Sequence, residues 1–205
     1  LERKRLNMTA YMDHKNLANE VIDGVRAVQI ADGLHRVLDR IASAEQHAGR
    51  YAGSVRLLAA TKTRDIGEIM AAIDAGVRMI GENRPQELRE KYPLLPPDIR
   101  WHMIGHLQTN KVKYIAPFVE LIHSVDSDRL LAVIDREAAR NDRTIDVLFE
   151  VHVAMEETKS GWAPEELRSY LAGGAWRTYG NVRIRGLMAV ASQTDDDARI
   201  RAEFT

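Results

Sequence analysis

The sequence predicts an α/β fold, a (β/α) barrel built on parallel strands. Two patterns carry this reading. Short apolar runs recur along the chain, and amphipathic segments of about 10–15 residues separate them. A third observation fixes the sense of the alternation: nearly every amphipathic segment opens with a helix-start signal.

The first element is a long helix over about residues 16–48. Leu17, Val21, Val25, Val28, Ala31, Leu34, Leu38 and Ile41 recur at spacings of three and four, with charges between them and Gly33 as a candidate interruption. Six candidate strands follow: VRLLAAT (55–61), VRMIG (77–81), RWHMIG (100–105), VELIHSV (119–125), IDVLFEVHV (145–153) and VRIRGLMAV (182–190). Their length and near-continuous apolar character suit strands covered on both faces.

The helices between them declare their starts. Asp65 precedes IGEIMAAIDA, and Thr109 or Asn110 precedes KVKYIA. Asp126 or Ser127 precedes DRLLAVIDREAARN, and Ala163-Pro164 opens EELRSYLAGG. Gly76 and the Gly173-Gly174 pair stand where helices should stop. The first strand is followed by ATKTRD and not by GxGxxG, so the dinucleotide-binding sheet loses its main support. A closed barrel needs eight strands, and six βα units are legible here.

Composition excludes several classes. The 205 residues carry 29 Lys+Arg against 30 Asp+Glu, a net charge of −1, so neither a polybasic nucleic-acid binder nor an acidic tail is expected. No cysteine is present, which removes disulfides, thiolate nucleophiles and iron–sulfur clusters and points to the cytoplasm. No run of 18 apolar residues predicts a membrane span. Residues 1–15 are expected to be a disordered or foreign N-terminal segment outside the fold, and they lack the apolar core of a signal peptide. Residues 16–205 are expected to form a single barrel domain lacking its last two strands. The chain stops at Thr205 inside a helical stretch, which favours an incomplete chain over a molecule with bare strand edges.

In such barrels the chemistry gathers where strands end. The first strand ends at Lys62, on the same parity as Leu58 and Ala60, so all three should face one way. A lysine aimed into a barrel mouth would be desolvated and its neutral amine favoured, as amine–carbonyl chemistry requires. The ordinary fate of a lysine past a strand end is to curl back to water. The second strand leads to Glu82 and Asn83, and the third carries His102. His123 follows in the fourth, His152 in the fifth and Met188 in the sixth. Three histidines near strand ends invite a zinc reading, but no HExxH is present, and structural or substrate-contacting roles are favoured. Met188 also suits plain core packing.

The motifs ATKT (60–63), GENRPQEL (81–88), RWHMIGHLQTNKVK (100–113), IHSVDS (122–127), EETKSG (156–161) and RIRGLMAV (183–190) resemble, in order and spacing, the pyridoxal-phosphate homeostasis proteins of the YggS/PROSC type. The resemblance runs from about residue 17 to 205. It implies a (β/α)8 TIM-type barrel of the alanine racemase N-terminal type with an extra N-terminal helix. It also implies that pyridoxal 5'-phosphate (PLP) is held as a Schiff base on Lys62, with Asn83 and His102 beside the ring and Met188 against one face. The family implies a cytoplasmic role in vitamin B6 balance with no catalytic residue of its own and no metal. Its expected partners are PLP and PLP-dependent apoenzymes, with no nucleic acid and no membrane, and a monomer is favoured over a dimer.

One departure stands in the fifth strand, where Val151-His152-Val153-Ala154 replaces an Asn-x-Ser-like stretch. The family's phosphate-holding turns lie after strands 7 and 8. A chain truly ending at Thr205 would therefore bind PLP weakly or not at all. Two other readings remain: a PLP-dependent amino-acid racemase on the same barrel, and a metal-dependent hydrolase using His102, His123 and His152.

Overall fold

The computed structural model describes residues 22–153, 160–192 and 194–203. The N-terminal segment 1–15, expected to be disordered or foreign, and most of EETKSG lie outside the described residues. The chain divides into two compact units, residues 1–82 with 87–100, and residues 83–86 with 101–205.

In the first unit, helix α1 (Gly24–His47) begins where Asp23 accepts from the Arg26 N–H at 2.8 Å. An aspartate there satisfies one of the donors that a helix start leaves open. The helix runs unbroken through Gly33. Near its end the buried Glu45 carboxylate accepts from the N–H groups of Gly53 (2.9 Å) and Val55 (2.6 Å) and from the Ser54 hydroxyl (3.1 Å). These bonds hold its carboxyl below the usual range. They also correct the strand expected over 55–61. The chain at 53–55 is committed to capping contacts, and strand β1 is only Ala59–Ala60.

Helix α2 (Ile66–Asp74) starts as read, with Asp65 accepting from the Glu68 N–H at 2.8 Å. It lies against α1, where the Arg26 guanidinium donates twice to Glu68 Oε1, at 2.6 and 3.0 Å. Strand β2 (Met79–Glu82) pairs parallel with β1, Ala59 opposite Ile80 and Ala60 opposite Gly81. Ile69, Met70, Ile73, Ile80, Leu88 and Leu95 form the buried core of this unit. Helix α3 (Pro85–Lys91) has no counterpart in the sequence reading. Its signals were there: Pro85 at the first turn, Glu87 beside it, and Arg89 and Lys91 at the end.

The second unit carries β3 (Arg100–Met103, from Trp101 onward), β4 (Leu121–Val125), β5 (Ile145–His152) and β6 (Val182–Val190). They lie in that order, every pair parallel. Helices α4 (Val112–Ile115), α5 (Asp128–Arg140), α6 (Pro164–Gly173) and α7 (Asp197–Glu203) intervene or follow. This is the βαβα alternation that a parallel sheet requires. Ser127, not Asp126, caps α5 by accepting from the Leu130 N–H. Gly174, at φ +73°, ends α6 in the left-handed region.

The core is apolar on successive strands: Trp101 and Met103, Ile122 and Val125, Ile145, Val147 and Phe149. Trp162 and Tyr170 stack at 4.8 Å beside Phe149, and the Trp162 indole donates to the Val125 carbonyl at 3.0 Å. β6 departs from the expectation of a doubly covered strand. None of its residues is fully buried, and Arg183 and Arg185 reach Asp146 on β5.

Removing the cap of α5 by Ser127→Ala is expected to lower stability by about 1 kcal/mol. Urea unfolding followed by circular dichroism measures it.

Candidate functional site

In the first unit the chain leaves β1 and turns at once. Thr61 is buried, and the Arg64 N–H donates to its carbonyl at 3.1 Å, closing a turn over residues 61–64. Thr63 within it has φ +63°, a region that costs a β-branched residue free energy. Lys62 sits on this turn, exposed to solvent. The burial expected for Lys62 is therefore corrected. β1 ends at Ala60, so Lys62 belongs to the turn and not to a strand face shared with Leu58.

Beneath the turn lies a cluster the sequence reading did not assemble. The Glu82 carboxylate, wholly buried at the end of β2, accepts at Oε1 from the Thr61 hydroxyl (2.6 Å) and from the Lys91 ammonium (2.7 Å). Lys91 Nζ also donates to the Thr61 carbonyl at 2.9 Å and stands 3.7 Å from Glu87 Oε2. Burial pushes the Glu82 carboxyl above the usual carboxylate range, against the bonds from Lys91 and Thr61 that favour its ionised form. Glu82 Oε2 is buried without a hydrogen-bond partner among the described residues.

In the second unit Asn83 is half-buried and packs against Gly105. A Cβ on Gly105 would come within 2.5 Å of the Asn83 carbonyl oxygen and 2.7 Å of its Cα. The glycine of WHMIGH is thus a requirement of close backbone approach. Ser124, buried on β4, donates to the Gly105 carbonyl at 2.6 Å and fixes the same loop.

His102 is buried on β3, and its Nδ1 lies 2.9 Å from His123 Nε2. Burial pushes the His123 imidazole down to about 4, so His123 meets His102 as an uncharged ring near neutral pH. The three-histidine metal centre is not assembled: no His/Asp/Glu trio able to hold a metal occurs among the described residues.

Met188 on β6 lies opposite Glu150 on β5 in the parallel register, so the two share a sheet face. Glu150 is buried, accepts from the Ser160 hydroxyl at 2.9 Å, and is pushed upward chiefly by burial. It escaped the sequence reading, although an acid within the apolar run 145–153 was a visible signal. Gly161, at φ +123°, passes so close to β5 that a Cβ would lie 2.9 Å from the His152 N.

The alanine racemase N-terminal domain family matches residues 34–205, and the chain belongs to it. That places these βα units in a TIM-type barrel of the racemase N-terminal kind. Within this class the chain belongs to the pyridoxal phosphate homeostasis proteins. It is 41% identical over 172 residues to the one from Aquifex aeolicus, covering 83% of this chain and 75% of the relative. It is 36% identical to the one from Pseudomonas aeruginosa, covering 85% and 76%.

Among solved structures it is similar to an unknown protein from Bifidobacterium adolescentis, at 50% identity and TM-score 0.82, covering 92% of this chain and 80% of that one. It is also similar to PipY of Synechococcus elongatus with PLP bound, at 32% identity and TM-score 0.65, covering 82% and 76%. Alanine racemase from Streptomyces coelicolor, at 19% identity and TM-score 0.61, covers 87% of this chain and 45% of that one and shares the fold.

Two predictions follow from this geometry. Gly105→Ala forces the Asn83 backbone aside and is expected to cost about 1–3 kcal/mol, measured by chemical denaturation. His123 has its folded value below the 6.5 of the unfolded chain, so the native state binds fewer protons between about 4 and 6.5. Its contribution to stability is present above that window and lost as pH falls through it. Glu82 and Glu150, raised by burial, act in the opposite sense. The expected outcome is a His123→Gln variant that loses less stability than the parent between pH 7 and pH 4.5, read from paired urea titrations.

Proposed function

We propose that this chain binds PLP through Lys62 and serves intracellular vitamin B6 balance as a carrier without a reaction of its own. The observation that carries the reading is an exposed lysine amine in the matched ATKT motif, mounted on a turn whose base is pinned by buried hydrogen bonds.

The residues fit the cofactor's chemistry. When bound, PLP supplies an aldehyde that joins a primary amine with loss of water, and a ring that draws electrons. A carrier needs an amine that solvent-borne PLP can reach, and Lys62 is exposed on its turn. Thr61 and Glu82 fix the backbone that bears it. By resemblance Asn83, His102 and Met188 take the ring-side roles. The Gly105–Asn83 approach holds Asn83 in place, and the bond to His123 holds the His102 ring. The relatives named homeostasis proteins support a carrier over a racemase. The resemblance further supports a monomer in the cytoplasm that passes PLP to apoenzymes.

Spectroscopy tests the reading. The protein titrated with PLP is expected to develop a visible absorbance band, and borohydride should then fix the cofactor to Lys62, located by peptide mass spectrometry. Lys62→Ala is expected to lose both. A variant that keeps the band removes Lys62 from the proposal. Racemisation of L-alanine by the loaded protein is expected to stay at the level of free PLP.

A further inference from the structure

The geometry points to Thr61, Glu82 and Lys91 as positioning residues that lock the turn bearing Lys62 and reserve the cofactor for that amine. The inference rests on Lys62 being the cofactor lysine.

Every polar group of Thr61 is engaged. Its N–H donates to the Gly81 carbonyl at 3.0 Å, and its hydroxyl donates to Glu82 Oε1. Its carbonyl accepts from both Arg64 N–H and Lys91 Nζ. A carbonyl oxygen has two lone pairs, and both are used. The residue immediately before Lys62 is therefore fixed to β2 and to α3. This fixation holds Thr63 at its positive φ, which a looser turn would relax.

Stability alone is a poor reason for the arrangement. A buried ion pair is often no better for folding than apolar side chains of the same volume. What it gives over apolar packing is direction, since hydrogen bonds specify one backbone position and not a range. Reaction of an amine with an aldehyde depends steeply on such placement.

The cluster also separates two lysines. The Lys91 ammonium stands against the Thr61 carbonyl, Glu82 and, at longer range, Glu87, and its side chain is 13% exposed. Of the three ammonium donors, one is taken by the Thr61 carbonyl and one by the buried Glu82 carboxylate. Lys91 is thereby enclosed against these oxygens, while Lys62 is exposed on its turn.

The test compares the parent with Thr61→Val, Thr61→Ser and Lys62→Ala. Thr61→Val keeps the volume and removes the hydroxyl, and Thr61→Ser restores it. With PLP added, Thr61→Val is expected to slow appearance of the visible band about tenfold. Its Arg64 amide is expected to exchange with deuterium about tenfold faster in the protein without PLP. Thr61→Ser should return both readouts to near the parent.

Folded Thr61→Val with parent band kinetics and parent Arg64 exchange overturns the inference, as does a defect that serine fails to repair. If Thr61→Val does not fold, Glu82→Gln, which removes the charge that holds Lys91, is expected to slow the band and speed Arg64 exchange, and parent values in both overturn the inference. In Lys62→Ala, borohydride is expected to leave Lys91 unlabelled, and labelling there overturns the reservation argument. A label elsewhere in the parent itself refutes the Lys62 reading, an outcome distinct from failure of the positioning role.

Discussion

One buried carboxylate oxygen organises the turn that carries Lys62. Glu82 Oε1 accepts from a hydroxyl on the residue after β1 and from an ammonium at the end of α3. Removing such a group from water costs several kcal/mol, and the cost is offset only when its bonds are well formed. The fold therefore holds Thr61, Glu82 and Lys91 together or not at all. The conformation of Thr61–Arg64, and with it the exposure of Lys62, follows from that constraint.

The second unit answers the same problem with different chemistry. Here the residues that resemble ring-side positions are held by close approach and by neutral hydrogen bonds. Gly105 admits Asn83 because it has no side chain, and Ser124 ties the loop from below. His102 is steadied by a second imidazole that burial keeps uncharged near neutral pH. A charged partner in that place would have required its own desolvation.

The unusual reading of β5 also takes on physical meaning. The resemblance implies an Asn-x-Ser-like stretch where His152 and Ala154 stand, and Ala154 lies outside the described residues. What the strand does present is Glu150, buried, bonded to Ser160 and level with Met188. Gly161 presses against this strand so closely that only a glycine fits, which aligns Ser160 with the acid.

The sequence by itself determined the alternation of strands and helices, because burial in a parallel sheet imposes periodicities that composition displays directly. It determined the caps at Asp65 and in the Asp126-Ser127 pair, because those signals are local. It also carried the family, through motifs long enough to be specific.

Only the tertiary structure decided that Val55 belongs to a loop held by Glu45, that Lys62 stands in water, and that Lys91 meets Glu82 nine residues away in sequence. Those outcomes depend on which polar groups find each other once the chain is compact. Hydrogen-bond partners at such distances leave no periodic trace, so no pattern of side chains along the chain announces them.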